Sequence, residues 1–236
     1  MNRFEKWVFP PTCVVTGEAG QEVDVSARVQ AQLVRPVQAC SVCAMPLAAA
    51  TGKPLHSLSV CGACLSQPPS FDLTQAGFRF DGWLVDSIHG LKYHSQLYQA
   101  RLLAELWHPY LDVTGVDALV PVPLHSSRLL ERGFNQSLEL AQALSKLTGI
   151  PVRPWAVQRV RATPYQALLK AQARHHNLKG AFALLDTAQL QGLKQIALVD
   201  DVMTTGATVE QLAAVVKRSF PSLRIQVWVL ARAVGH

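Results

Sequence analysis

The chain has 236 residues, of which 49% are hydrophobic, and a formal net charge of +6. That length suits one α/β domain with a small appendage and supplies enough apolar residues for a core. No apolar run approaches the 18 or so residues of a membrane span, and the start, Met1-Asn-Arg-Phe-Glu-Lys-Trp7, lacks the apolar stretch of a signal peptide. The sequence predicts a soluble cytoplasmic protein without membrane insertion.

All five cysteines precede residue 65. Four form two C-x-x-C pairs, Cys40-Ser-Val-Cys43 and Cys61-Gly-Ala-Cys64, with seventeen residues between them. Two such turns sharing one tetrahedral ion make a structural Zn²⁺ site, because each turn points two thiolates the same way. Gly62 is expected to let the second turn fold tightly. In a reducing compartment this pattern favours metal over disulfides, although two redox pairs remain the alternative. Cys13 stands apart, with Thr16 where a pairing cysteine would fall, and reads as a free, buried thiol. Ser66-Gln-Pro-Pro-Ser-Phe-Asp72 reads as a linker. The organisation expected is an N-terminal segment with the metal module over 1–70 and a main domain over 71–236.

Val116–Val122 has the apolar content of a buried strand, and the prolines of Pro121-Val-Pro-Leu-His125 then turn the chain. A helix is expected from about Ser137 to Leu147, ended by Gly149 and Pro151. Residues 121–180 hold nine Lys/Arg against two acids, so most of the positive charge lies there. Such a stretch neutralises phosphates, contacts a nucleic-acid backbone, or is a solvated surface. For Arg132 the plain alternative is an ion pair with Glu131 or Asp86. Residues 159–180 have few large apolar side chains, and Thr163-Pro164 breaks any preceding helix.

Residues 196–208 read IALVDDVMTTGAT. Ile196–Val199 suits a strand covered on both faces of a parallel sheet. From Val209 the pattern turns helical, with Val209, Leu212, Ala213, Val216 and Phe220 on one face, and Ile225–Leu230 reads as the next strand. In this βαβ unit the small-residue loop lies at the carboxyl end of a strand, where open α/β sheets bind ligands. Its N–H groups and hydroxyls suit a phosphate, and the adjacent carboxylates suit sugar hydroxyls or a metal ion. The plain alternative is a strand followed by an Asp/Thr-rich helix cap. No G-x-x-x-x-G-K-[ST] and no G-x-G-x-x-G occurs.

The segment resembles the phosphoribosyl pyrophosphate (PRPP) motif of type I phosphoribosyltransferases. By that resemblance Asp200 and Asp201 would hold the ribose and form the catalytic pair. The motif Asp200, Asp201, Val202, Met203, Thr204, Thr205, Gly206, Ala207 and Thr208 would bind PRPP, with the 5′-phosphate on Thr204–Thr208. Leu124, His125, Arg128 and Arg132 would form a pyrophosphate loop, often built on an unusual peptide bond, and Mg²⁺ would accompany PRPP. Ala207 replaces a glycine common in the family, a mild departure if its φ is negative.

Nearly the whole chain is similar to the ComF family of competence proteins, ComFC-like and GntX-like. The matching stretches run from the cysteine pairs with Met45-Pro-Leu and Gln67-Pro-Pro to Ile88-His-Gly-Leu-Lys-Tyr93. They continue through Val120-Pro-Val-Pro-Leu-His125 and Glu131-Arg-Gly-Phe-Asn-Gln-Ser137. Arg161-Ala-Thr-Pro-Tyr-Gln166, Asn177-Leu-Lys-Gly-Ala-Phe182 and the PRPP motif follow. The resemblance implies a type I phosphoribosyltransferase fold, a mostly parallel sheet flanked by helices, behind a four-cysteine zinc module. It also implies a PRPP-binding protein that handles single-stranded DNA during natural transformation, alongside other competence proteins. Lys92, Arg159, Arg161, Lys170, Arg174 and Lys179 are the candidates for DNA or lid contacts. An active phosphoribosyltransferase, releasing pyrophosphate from PRPP to a nitrogen nucleophile, is the rival reading. A regulator that binds PRPP without chemistry is a third.

Overall fold

A computed structural model describes residues 10–20, 22–47, 59–162 and 180–234. Its centre is a four-stranded sheet of β1 (Leu73–Arg79), β2 (Ala118–Pro121), β5 (Gln195–Met203) and β6 (Arg224–Arg232), in the order β1-β6-β5-β2. Every neighbouring pair is parallel. Beyond β2, Val152 bridges Leu119 in the same direction. A short antiparallel hairpin, β3 (Val157–Arg159) and β4 (Phe182–Leu184), stands beside the sheet.

Both faces are covered, which explains the apolar runs Ile196–Val199 of β5 and Val227–Ala231 of β6. Successive side chains point to opposite faces. Ala197, Val199, Trp228 and Leu230 therefore enter one core with α3 (Trp83–Tyr93), α4 (Tyr98–Trp107) and α6 (Gln136–Thr148). Ile196, Leu198, Val227 and Val229 enter a second core with the hairpin and α7 (Ala207–Ser219). Residues ahead of the sheet join both. Cys13, Val25 and Val29 from the segment around α1 (Ala27–Gln30) are buried in the first core, and Phe71 in the second. No helix among the described residues is long and apolar enough to cross a membrane.

The βαβ unit folds as expected, but β5 runs four residues past Val199. The cause is β6, whose own length keeps pairing to it through Asp200↔Val229 and Met203↔Arg232. The helix begins two residues earlier than its apolar face suggested, at Ala207. Gly90-Leu-Lys-Tyr93 is the last turn of α3, not a free turn. The prolines after β2 lead into an unanticipated short helix, α5 (Ser126–Arg132), capped by His125, whose Nδ1 accepts from the Ser127 amide. Ser66–Asp72 is a well-anchored connection. Ser70 donates to Glu210 through its amide and hydroxyl, at 2.8 and 2.7 Å, and Asp72 accepts from the Ile225 amide at 2.6 Å.

Candidate functional site

The carboxyl ends of the parallel strands bring the predicted acidic pair, loop and arginines to one end of the sheet. Asp200 and Asp201 are consecutive on β5, so they leave the strand toward different faces. Asp201 turns to the α3–α6 side and is 3% exposed, while Asp200 stays partly open. The two carboxylates therefore have different surroundings.

Asp201 is enclosed by protein partners. Lys92 comes down from the last turn of α3 and forms an ion pair with Asp201 Oδ2. Gln136 Nε2 donates to Asp201 Oδ1 at 3.2 Å, and Arg132 in turn donates to Gln136 Oε1. The Arg132 guanidinium also lies 5.3 Å from the centre of the Tyr93 ring. Asp200 Oδ1 accepts from Ser137 Oγ at 2.9 Å and from the Asp201 amide at 3.0 Å. Gln136 and Ser137 stand at the start of α6, where Asn135 caps the helix by accepting from the Ser137 amide.

These contacts split the two titrations. Burial, and then the neighbouring Asp201 charge, push Asp200 up to about 7. Burial acts the same way on Asp201, but the Lys92 ammonium outweighs it and holds that carboxyl below its usual range. Burial alone would lower Lys92, yet Asp201 raises it, so the pair is ionic.

After Met203 the chain forms the predicted loop. Gly206 has φ 82°, the left-handed conformation that glycine adopts without strain, and serves as N-cap of α7. Gly206 brings no capping side chain, and Ala207, at negative φ, donates its amide to Thr205 Oγ1 at 3.4 Å. The helix starts four residues after Met203, the last residue of the strand that carries Asp200. From the other side, His125 bridges Arg159 across the strands. Burial lowers Arg159, the Asp200 charge raises it and the Arg128 charge lowers it, and its guanidinium lies 5.5 Å from the centre of the Phe182 ring. The Leu124–His125 peptide is trans, as are the others described. Arg161 is exposed at the end of the hairpin's first strand. Lys170, Arg174 and Lys179, and the remainder of the expected lid, lie outside the described residues.

The four paired cysteines meet as the spacing predicts. Their sulfurs lie within 4.8 Å of one another, with Cys43 Sγ and Cys61 Sγ 3.7 Å apart. Tetrahedral zinc with Zn–S of about 2.3 Å spaces its sulfurs about 3.8 Å apart, so the quartet fits that ion. Burial and the crowding of Cys43 and Cys61 push the Cys64 thiol up, the state a bound cation relieves. Gly62 does not serve the tight turn expected of it. It opens α2 (Gly62–Ser66) at ordinary φ, and a Cβ there would meet nothing within 4 Å. The left-handed position is Ala44, at φ 54°.

The acidic pair differs, because Mg²⁺ asks for near-octahedral oxygen ligation. Both Asp201 oxygens and Asp200 Oδ1 already face protein donors. Among the described residues the cysteines are the only group of three or more side chains placed to hold a metal. The pair does not fit a resident Mg²⁺.

One residue that sequence reasoning missed joins the two regions. Arg232, buried at the end of β6, donates from Nη1 to the carbonyls of Met203 (2.8 Å), Thr204 and Ala233 (2.7 Å). Its Nε donates to the Cys43 carbonyl at 3.0 Å. Thr74 adds a second tie, its hydroxyl donating to the Val42 carbonyl at 2.6 Å. The available signal was a single charge closing the apolar run Val227–Ala231, since a buried charge is kept only where it has partners. Trp155, also missed, is 64% exposed beside the hairpin.

Competence protein F of Haemophilus influenzae is 37% identical over 182 residues, covering 73% of this chain and 78% of that protein. DNA utilization protein YhgH of Salmonella typhimurium is 36% identical over 205 residues, with coverage of 84% and 86%. The chain belongs to the ComF family. The YhgH protein of Escherichia coli matches this family member at 37% identity over 203 residues, covering 83% of the chain and 84% of that protein. No family model matches it.

Proposed function

We propose that this ComF protein binds PRPP at the carboxyl end of its sheet and handles single-stranded DNA in competence. The observation that carries the first part is the sequence of surfaces around β5. Asp200 is partly open and would accept from a ribose hydroxyl, and the first-turn amides of α7 after Gly206 would take the 5′-phosphate. Arg159, bridged to His125 and in charge interaction with Asp200, and Arg128 beside it would take the pyrophosphate oxygens. Calorimetric titration of PRPP tests it: one site per chain is expected, lost in Asp200→Asn/Asp201→Asn. Unchanged binding in that variant would overturn the reading.

The DNA role is supported by the relatives' names and by the segment from Arg153 to Arg161. It carries three arginines and the exposed Trp155 indole, a flat surface for base stacking. Binding of an oligothymidine should weaken steeply with salt, and Trp155→Ala should cost about 1–3 kcal/mol. Salt-independent binding, or no effect of either Trp155→Ala or charge reversal at Arg161, would remove this part. Phosphoribosyl transfer with pyrophosphate release is the second reading, favoured by the charge interaction of Arg159 with Asp200, from which the guanidinium would stabilise the leaving group. Pyrophosphate release in the presence of candidate nitrogen nucleophiles is its test.

A further inference from the structure

A buried carboxylate requires a counter-charge, and a divalent cation is a common source of one beside sugar phosphates. At this site the chain carries its own. Lys92, with a side chain only 20% exposed, is delivered by α3 onto Asp201 Oδ2. Gln136 closes the other oxygen of Asp201, and Arg132 holds Gln136 in place. Asp200 is pinned through Oδ1 by Ser137 and the Asp201 amide and stays partly exposed. No third carboxylate, histidine or cysteine among the described residues joins the two to complete a metal site. Arg128 and Arg159 bring further positive charge to the same end of the sheet, where a polyphosphate would otherwise rely on a metal.

We propose that Lys92 takes the place of a divalent cation, so that the site binds its phosphorylated sugar without Mg²⁺. The ammonium neutralises Asp201 and fixes it beneath the site, and Asp200 accepts from a ribose hydroxyl. This inference rests on the phosphosugar reading above.

The test is titration of PRPP onto the full chain in buffer freed of divalent ions by chelating resin, and again with Mg²⁺ restored, with zinc content measured in both. Wild-type affinities should agree within about threefold. Lys92→Met should bind at least about tenfold more weakly in the metal-free buffer and recover part of that loss with Mg²⁺. Lys92→Arg keeps the charge, controls for folding, and should remain independent of Mg²⁺. Wild-type binding that requires Mg²⁺ overturns the inference and leaves the phosphosugar reading standing. Binding in neither buffer overturns both.

Discussion

The acidic pair and the cysteine quartet are both clusters of potential anions at the same end of the molecule, and they are neutralised in opposite ways. Asp201 has an ammonium from its own chain against it, and every partner of the pair is a protein donor. The four thiols surround a space of tetrahedral size, and Arg232, which reaches the module, is engaged with backbone carbonyls. A cluster that arrives with its counter-charge does not need a metal to fold; one that lacks it does. The contrast separates two sites that residue types alone would both present as metal-binding.

The largest effect should come from breaking the quartet. Cys61→Ser is expected to reduce zinc from about one per chain to a small fraction, since structural zinc contributes roughly 10 kcal/mol or more to folding of small sites. Metal analysis after purification without added zinc measures it, and retained zinc would erase the contrast. Next is Lys92→Met, which strands a buried carboxylate at a cost of about 3–5 kcal/mol. Adding Asp201→Asn should restore most of that stability in urea unfolding, whereas a purely packing role for Lys92 would show no rescue.

Arg232→Met joins both regions and should cost about 2–3 kcal/mol, because several buried carbonyls lose a charged donor. It should also weaken PRPP binding while zinc stays bound, since the Thr204 carbonyl loses its tether to the cysteine module. Equal PRPP affinity in variant and wild type would show that the two regions act independently.

The smallest effect is in the pH dependence of Asp200. Its folded value of about 7 lies above the unfolded value of 3.8, so folding favours the protonated form. That contribution is complete below about pH 4 and is lost as pH rises toward 7. Asp200→Asn should therefore exceed wild type by about 1 kcal/mol or more above pH 7, with the advantage vanishing near pH 4. The amide oxygen can still accept from Ser137. A pH-independent difference would contradict the assigned surroundings.

The quartet was legible because its ligands are local. Two C-x-x-C turns fix the thiolates whatever the rest of the chain does. At the other site the strand, the loop, Gly206 and α7 were equally legible, all lying within one βαβ unit. What could not be read was what meets Asp201. Lys92 is more than a hundred residues away and read only as a candidate DNA or lid contact, and Gln136 and Ser137 looked like ordinary helix-start residues. Their placement depends on α3 and α6 packing on one face of the sheet, which no local pattern states. The length of β5 was missed for a similar reason, because it is set by the register with β6.

A crystal structure of the chain grown with PRPP and Mg²⁺ tests the account most directly. The account predicts the 5′-phosphate on the amides after Gly206, a ribose hydroxyl on Asp200, Lys92 still paired with Asp201, and zinc in the quartet. A phosphosugar bound elsewhere, or Mg²⁺ coordinated by Asp200 and Asp201 with Lys92 displaced, would contradict it.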